Sequence, residues 1–211
     1  MSIETQKIKD FIENNIRVTR FPKTSEIQSG AFDEYNVFIN VSDEHYLGHT
    51  EAIANKKKLS YWFPMGESTS DMGLKSMYGA LNVLYDIYTH NPEWKVILHC
   101  HAGANRSPTI KAAFYFMMLG EHRPEDYDEN GNVKYYNRLQ VNCERGFLPP
   151  LESIELFLTK LKLAFDNPHK FIGGMLDWVS NESNIEQYVR AKKNNRINFS
   201  NDDTEQSKQS V

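Results

Sequence analysis

The sequence predicts an α/β fold: a single domain with a mostly parallel central sheet of four to five strands, flanked by helices on both faces. Three observations point there. Short β-rich apolar runs alternate along the chain with stretches of helical period. One run, Val96-Ile97-Leu98, is apolar without alternation, as a strand covered on both sides is. The length, 211 residues, suits one core of good size.

Thr5 to Arg17 places Ile8, Phe11, Ile12 and Ile16 on one face, which predicts an opening amphipathic helix. Tyr35 to Val41 is apolar and β-rich and ends at Ser42-Asp43-Glu44. Lys56-Lys57-Lys58 reads as a solvated turn, and Leu59 to Phe63 as a strand stopped by Pro64. After the polar loop Gly66 to Ser70, a helix carries Leu74, Met77, Leu81, Leu84 and Tyr88 and ends near His90-Asn91-Pro92. Val96 to Leu98 is the next strand, and Ile110 to Leu119, with the small residues Ala112 and Ala113, a buried helix. Glu121 to Tyr136 is a polar excursion whose Asp128-Glu129-Asn130-Gly131-Asn132 turn predicts a hairpin or loop.

Pro149-Pro150 lead into a helix with Leu151, Ile154, Leu158, Leu161 and Phe165 on its apolar side. Residues 168–193 hold a Gly173-Gly174 break and one more helix, Ile185 to Lys192. The expected domain therefore runs over 1–193, with a core of about 35–166; the polar stretch 194–211 is an expected disordered tail.

Composition narrows the function. The net charge is −4 and the one basic run is three lysines long, too short for a nucleic-acid footprint, so no nucleic-acid partner is expected. No basic n-region with an apolar h-region opens the chain and no stretch approaches membrane-spanning length, so neither secretion nor membrane insertion is expected. Two cysteines far apart argue for a reducing, cytoplasmic setting, with Cys143 an unreactive thiol or, alternatively, a reversible disulfide partner of Cys100. A monomer is favoured.

The segment His99-Cys100-His101-Ala102-Gly103-Ala104-Asn105-Arg106-Ser107 leaves the apolar strand and enters the apolar helix. A strand that breaks into a tight loop and re-enters a helix makes an anion cradle, because loop N–H groups converge in front of the positive helix end. A cysteine at its start and an arginine at its end are a nucleophile and a bidentate phosphate clamp. Gly103 supplies a mid-loop position for positive φ or a close approach. Ser107 can donate to the cysteine sulfur, Pro108 falls where a helix tolerates it, and His99 can fix the loop by hydrogen bonding. The plain alternative is that Cys100 merely closes a strand as a small buried residue.

His99-Cys100, five residues, then Arg106-Ser107-Pro108-Thr109 resembles the signature loop of the cysteine-dependent protein tyrosine phosphatases, closest to the dual-specificity branch. The resemblance spans about Tyr35 to Phe165. It implies that Cys100 is the nucleophile, that Arg106 and the loop residues His101, Ala102, Gly103, Ala104 and Asn105 bind phosphate, and that Ser107 assists the thiol. It implies no metal or other cofactor, a phosphorylated protein or peptide as substrate, and a carboxylic acid on a separate loop that protonates the leaving oxygen.

Two residues compete for that last role. Glu67 fits the proline-spaced pattern Pro64-Met65-Gly66-Glu67 but is not the usual aspartate; Asp71 has the usual identity, but beside Ser70 it is equally a helix N-cap. Asp43 or Glu44 is a further candidate, to buttress Arg106 by an ion pair. Alternative functions are a phosphatase of phosphoinositide or RNA 5′-phosphate, a catalytically weak or inactive phosphate-binding module, and a rhodanese-like sulfur carrier. The lack of lysine in the loop speaks against the first, and the presence of both Cys100 and Arg106 against the others.

Overall fold

A computed structural model describes residues 2–66, 70–134 and 151–167, the side chains of 70–75 and 151–153 excepted. Four strands lie side by side: Ile16–Thr19 (β1), Val37–Asn40 (β2), Leu59–Trp62 (β3) and Val96–His99 (β4). Their order is β1-β4-β2-β3 and every pairing is parallel. Six α-helices are described: Ile3–Asn15 (α1), Thr24–Gln28 (α2), Leu47–Asn55 (α3), Ser70–His90 (α4), Arg106–Leu119 (α5) and Leu151–Asp166 (α6), with a 3-10 turn at Pro124–Asp126.

The predicted parallel sheet with helices on both faces is what forms. The two-residue period of the strands splits the core in two. Val37 and Ile39 of β2 and Val96 and Leu98 of β4 join residues of α1, α4, α5 and α6 on one face. Phe38 and Ile97, one position out of step, meet Ile27 of α2 and Ala52 and Ile53 of α3 on the other. All four residues of both β2 and β4 are therefore buried, while the edge strand β3 stays largely exposed.

Three elements depart from expectation. The opening helix stops at Asn15 rather than Arg17, and Ile16–Thr19 is a strand. The Asn15 amide donates to the carbonyls of Pro92 (2.8 Å) and Trp94 (3.2 Å), which ties the helix end to the turn before β4 and sets β1 beside it. Helices α2 and α3 were not foreseen; both are short, and they cover the Phe38–Ile97 face. The lysine turn before β3 is docked as well as solvated. Lys57 has φ +56°, Lys56 pairs with Asp33 at 3.1 Å, and Lys58 donates to the Asp33 and Tyr35 carbonyls.

Helix α5 begins four residues earlier than its apolar pattern, at Arg106, with Pro108 in its first turn. It is buried on nearly every side from Thr109 to Met117 and packs against β1, β4, α1, α4 and α6, so its N-terminus is held rigidly at the end of β4. Gly120, at φ +71°, closes its other end. In the polar excursion, the Asp128 carboxylate accepts from the Asn130 and Asn132 amides, and Tyr127 bridges Val133 antiparallel, a small hairpin. Tyr135 and Tyr136, Cys143, Pro149-Pro150, the Gly173-Gly174 break, the Ile185 to Lys192 helix and the tail lie outside the described residues. No helix among the described residues is long and apolar enough to cross a membrane.

Candidate active site

Strand β4 sits between β1 and β2, and its C-terminal end opens into the cysteine loop. In an open parallel sheet that end is where ligands bind. Both neighbours tie the loop down: the Phe21 amide beyond β1 donates to the His101 carbonyl at 3.0 Å, and the Val41 amide beyond β2 to that of His99 at 2.9 Å. Gly103 has φ +72°, and a Cβ there would stand 2.6 Å from the backbone of Thr19 and Arg20. Only glycine satisfies both the conformation and the approach.

Cys100 is 2% exposed at the base of the loop. The Ser107 hydroxyl, itself fully buried, donates to its Sγ at 3.2 Å. Burial pushes the Cys100 thiol up. The Ser107 hydroxyl and the backbone N–H groups of Ser107, Gly103 and Asn105 outweigh it and bring the thiol below its ordinary value. The donors come from the loop and from the first turn of α5, where helix N–H groups have no partner within the helix.

Arg106 opens α5 with its side chain 12% exposed. Its Nη1 donates to Asp43 Oδ1 at 2.5 Å and to the Met65 carbonyl at 3.0 Å. The guanidinium holds the Asp43 carboxyl below the usual carboxylate range, against a smaller opposing push from burial. Of the two buttressing candidates, Asp43 takes Arg106, while Glu44 Oε2 meets His101 Nδ1 at 2.8 Å. His101 stands at the rim, 64% exposed.

No protein-family model matches the chain, and no curated protein matches it. Solved structures do. It is similar to the PTP-2 phosphatase of Cydia pomonella, with 17% identity over 71% of this chain and 86% of that one and a TM-score of 0.42. It is similar to PTPMT1, with 13% identity over 74% of this chain and 95% of that one and a TM-score of 0.46. It is also similar to the core catalytic domain of the PP-IP phosphatase SIW14 of S. cerevisiae, with 11% identity over 87% of this chain and 90% of that one and a TM-score of 0.41. These structures are of the tyrosine-phosphatase kind that the signature loop resembles. At such identities and scores the likeness carries no chemistry over to this chain, whose own atoms have to supply it.

The two residues that compete for the acid role fall where no side chain is described. Glu67 lies outside the described residues, and Asp71 is the second residue of α4, its side chain undescribed. The segment leading to them is anchored: Met65 is buried and bound through its carbonyl to Arg106, and Ser76 of α4 donates to the Pro64 carbonyl. Met65 was not among the expected site residues; a backbone carbonyl leaves no mark in a sequence.

His99 requires a correction. It is fully buried, but neither ring nitrogen has a hydrogen-bond partner, so it does not fix the loop in that way. Instead its ring packs against Phe21 (4.8 Å between centroids) and His49 (5.3 Å), making an aromatic floor under the loop. Burial, with a smaller push from His49, lowers His99 to about 3, and burial, with His45, lowers His49 to about 4. Both are neutral at pH 7. Among the described residues no group of three His, Cys, Asp or Glu side chains is placed to hold a metal.

Proposed function

We propose that this chain is a phosphomonoester hydrolase that dephosphorylates protein side chains, phosphotyrosine and phosphoserine or phosphothreonine, through a phosphocysteine intermediate. The supporting observation is a buried thiol held below its ordinary pKa by the Ser107 hydroxyl and the backbone N–H groups of Ser107, Gly103 and Asn105, at a helix N-terminus beside a guanidinium that engages the described residues through one nitrogen. The thiolate of Cys100 attacks phosphorus in line and the phosphorus–oxygen bond to the side chain breaks. Arg106 and the loop amides hold the non-bridging oxygens, where negative charge concentrates. The leaving oxygen takes a proton from Glu67 or Asp71. Water then attacks the phosphocysteine, the sulfur–phosphorus bond breaks, and the same carboxylate accepts the water proton as phosphate leaves.

The test is hydrolysis of p-nitrophenyl phosphate by the wild type and by Cys100→Ser, Arg106→Lys, Glu67→Gln and Asp71→Asn. The first two variants are expected to be inactive, and one acid variant to lose the basic-limb pH dependence of kcat while the other keeps it. A wild type that turns over no phosphoester but binds phosphopeptides tightly would make the chain a binding module instead.

A further inference from the structure

Each arginine around the mouth of the loop that the structure describes already faces a carboxylate, and the ring of His101 faces another. Arg106 is held by Asp43 at 2.5 Å and His101 by Glu44 at 2.8 Å. Beyond β1, Arg20 grips Glu26 through its two terminal guanidinium nitrogens, at 2.5 and 3.1 Å, and the Lys23 backbone amide donates to the same carboxylate at 2.7 Å. Asp43 and Glu44 remain 60% and 34% exposed, so each shows charge to solvent as well as to its partner. Large apolar side chains continue the same lip. Tyr46 and Leu47 follow Glu44 in the chain and are exposed, with Tyr46 against Phe21. Trp62 at the end of β3 is also exposed; it stacks on His45 and donates to the Ser42 carbonyl.

A ligand phosphate displaces Asp43 as the anion closest to Arg106, but a second anionic group on the same ligand finds no unpaired arginine among the described residues of the lip and meets Asp43 and Glu44. A lip of this kind favours a lone phosphate on a neutral or basic, partly apolar background. Resting on the hydrolase reading above, we infer that Glu44, with Asp43 beside it, is a specificity determinant. It selects phosphorylated side chains in basic or apolar peptide context and rejects acidic peptides and polyanionic phosphoesters. The preference is electrostatic and so is screened by salt.

The experiment compares kcat/KM on p-nitrophenyl phosphate, on one phosphotyrosine peptide flanked by arginines, on the same peptide flanked by glutamates, and on an inositol polyphosphate. The wild type should prefer the arginine-flanked over the glutamate-flanked peptide by about tenfold at low ionic strength, shrinking to about twofold at ~0.5 M salt. Glu44→Gln should cut the ratio roughly threefold, and Glu44→Lys should bring it to about one or below. Because the readout is a ratio, any general loss of activity in a variant cancels. Hydrolysis of p-nitrophenyl phosphate with a wild-type ratio near one, a ratio unmoved by Glu44→Lys, or the polyphosphate as best substrate overturns this inference and leaves the hydrolase standing. No hydrolysis of any substrate overturns both.

Discussion

Among the described residues two arginines are about equally buried, each against an aspartate, and they have opposite surroundings. Arg123 is 11% exposed and Arg106 12%. Arg123 uses its whole fork: Nε and Nη2 bind the two oxygens of Asp126, at 3.0 and 2.8 Å, and Nη1 reaches Glu13 at 2.9 Å. Asp126 is fully buried and also takes the Arg123 amide. Among the described residues Arg106 engages only through Nη1, and its aspartate is 60% exposed. The first arrangement is complete and holds the 3-10 turn to α1. The second leaves a planar donor edge over to match a tetrahedral anion. Burial does not separate a structural arginine from a ligand-binding one; the count of donors left over does.

The sharpest way to break that contrast is to exchange readouts between the two. Arg106→Lys should remove measurable turnover of p-nitrophenyl phosphate, a fall in kcat/KM of about a thousandfold or more, while leaving the urea midpoint near wild type, because a point charge replaces the fork but no buried charge is orphaned. Arg123→Met should cost about 3–5 kcal/mol of stability, since it leaves Asp126 buried and unpaired, with kcat per folded molecule retained. If both substitutions unfold the chain, or both spare activity, the distinction is wrong.

A second contrast sets that satisfied network against the histidine floor beneath the loop. His99 and His49 are buried and neutral, at about 3 and about 4 against an ordinary 6.5. Below pH 6.5 the unfolded chain binds protons that the folded chain does not. Their contribution is therefore complete above pH 6.5 and is lost as pH falls toward 4 and 3, by about 3–4 kcal/mol for the pair at pH 5. Urea melts at pH 7 and pH 5, repeated on His99→Asn, should show this loss and its reduction. Equal stability of the wild type at both pH values would contradict it.

The smallest expected effect isolates the thiol. Ser107→Ala removes the one side-chain donor to Cys100 among the described residues, so the pH midpoint of Cys100 alkylation by iodoacetate should rise and turnover should fall roughly tenfold. An unmoved midpoint would mean that the loop amides alone set the thiol.

The central strands were legible because β2 and β4 each open on three consecutive apolar residues, and the cysteine loop was legible because its chemistry is local in sequence. β1 was missed although Ile16, Val18 and Thr19 are β-branched: the helical period of Ile8, Phe11 and Ile12 runs on into Ile16, and only the Asn15 tether to Pro92 and Trp94 ends it. α2 and α3 were missed because five and nine residues carry too little periodicity to register. Asp43 was foreseen only as one of two, since neighbouring residues diverge at a strand end by a rotation that no sequence shows. The histidine floor was misread because His99 finds Phe21 and His49, both distant in the chain, where a polar partner was expected.

Rapid acid quenching of the wild type and the Glu67→Gln and Asp71→Asn variants during turnover of p-nitrophenyl phosphate, followed by peptide mass spectrometry, tests the covalent step most directly. One phosphoryl group should be found on the peptide that contains Cys100, and more of it in the variant whose missing carboxylate slows hydrolysis of the intermediate. Phosphate released with no label on Cys100, or turnover that survives Cys100→Ser, would contradict it.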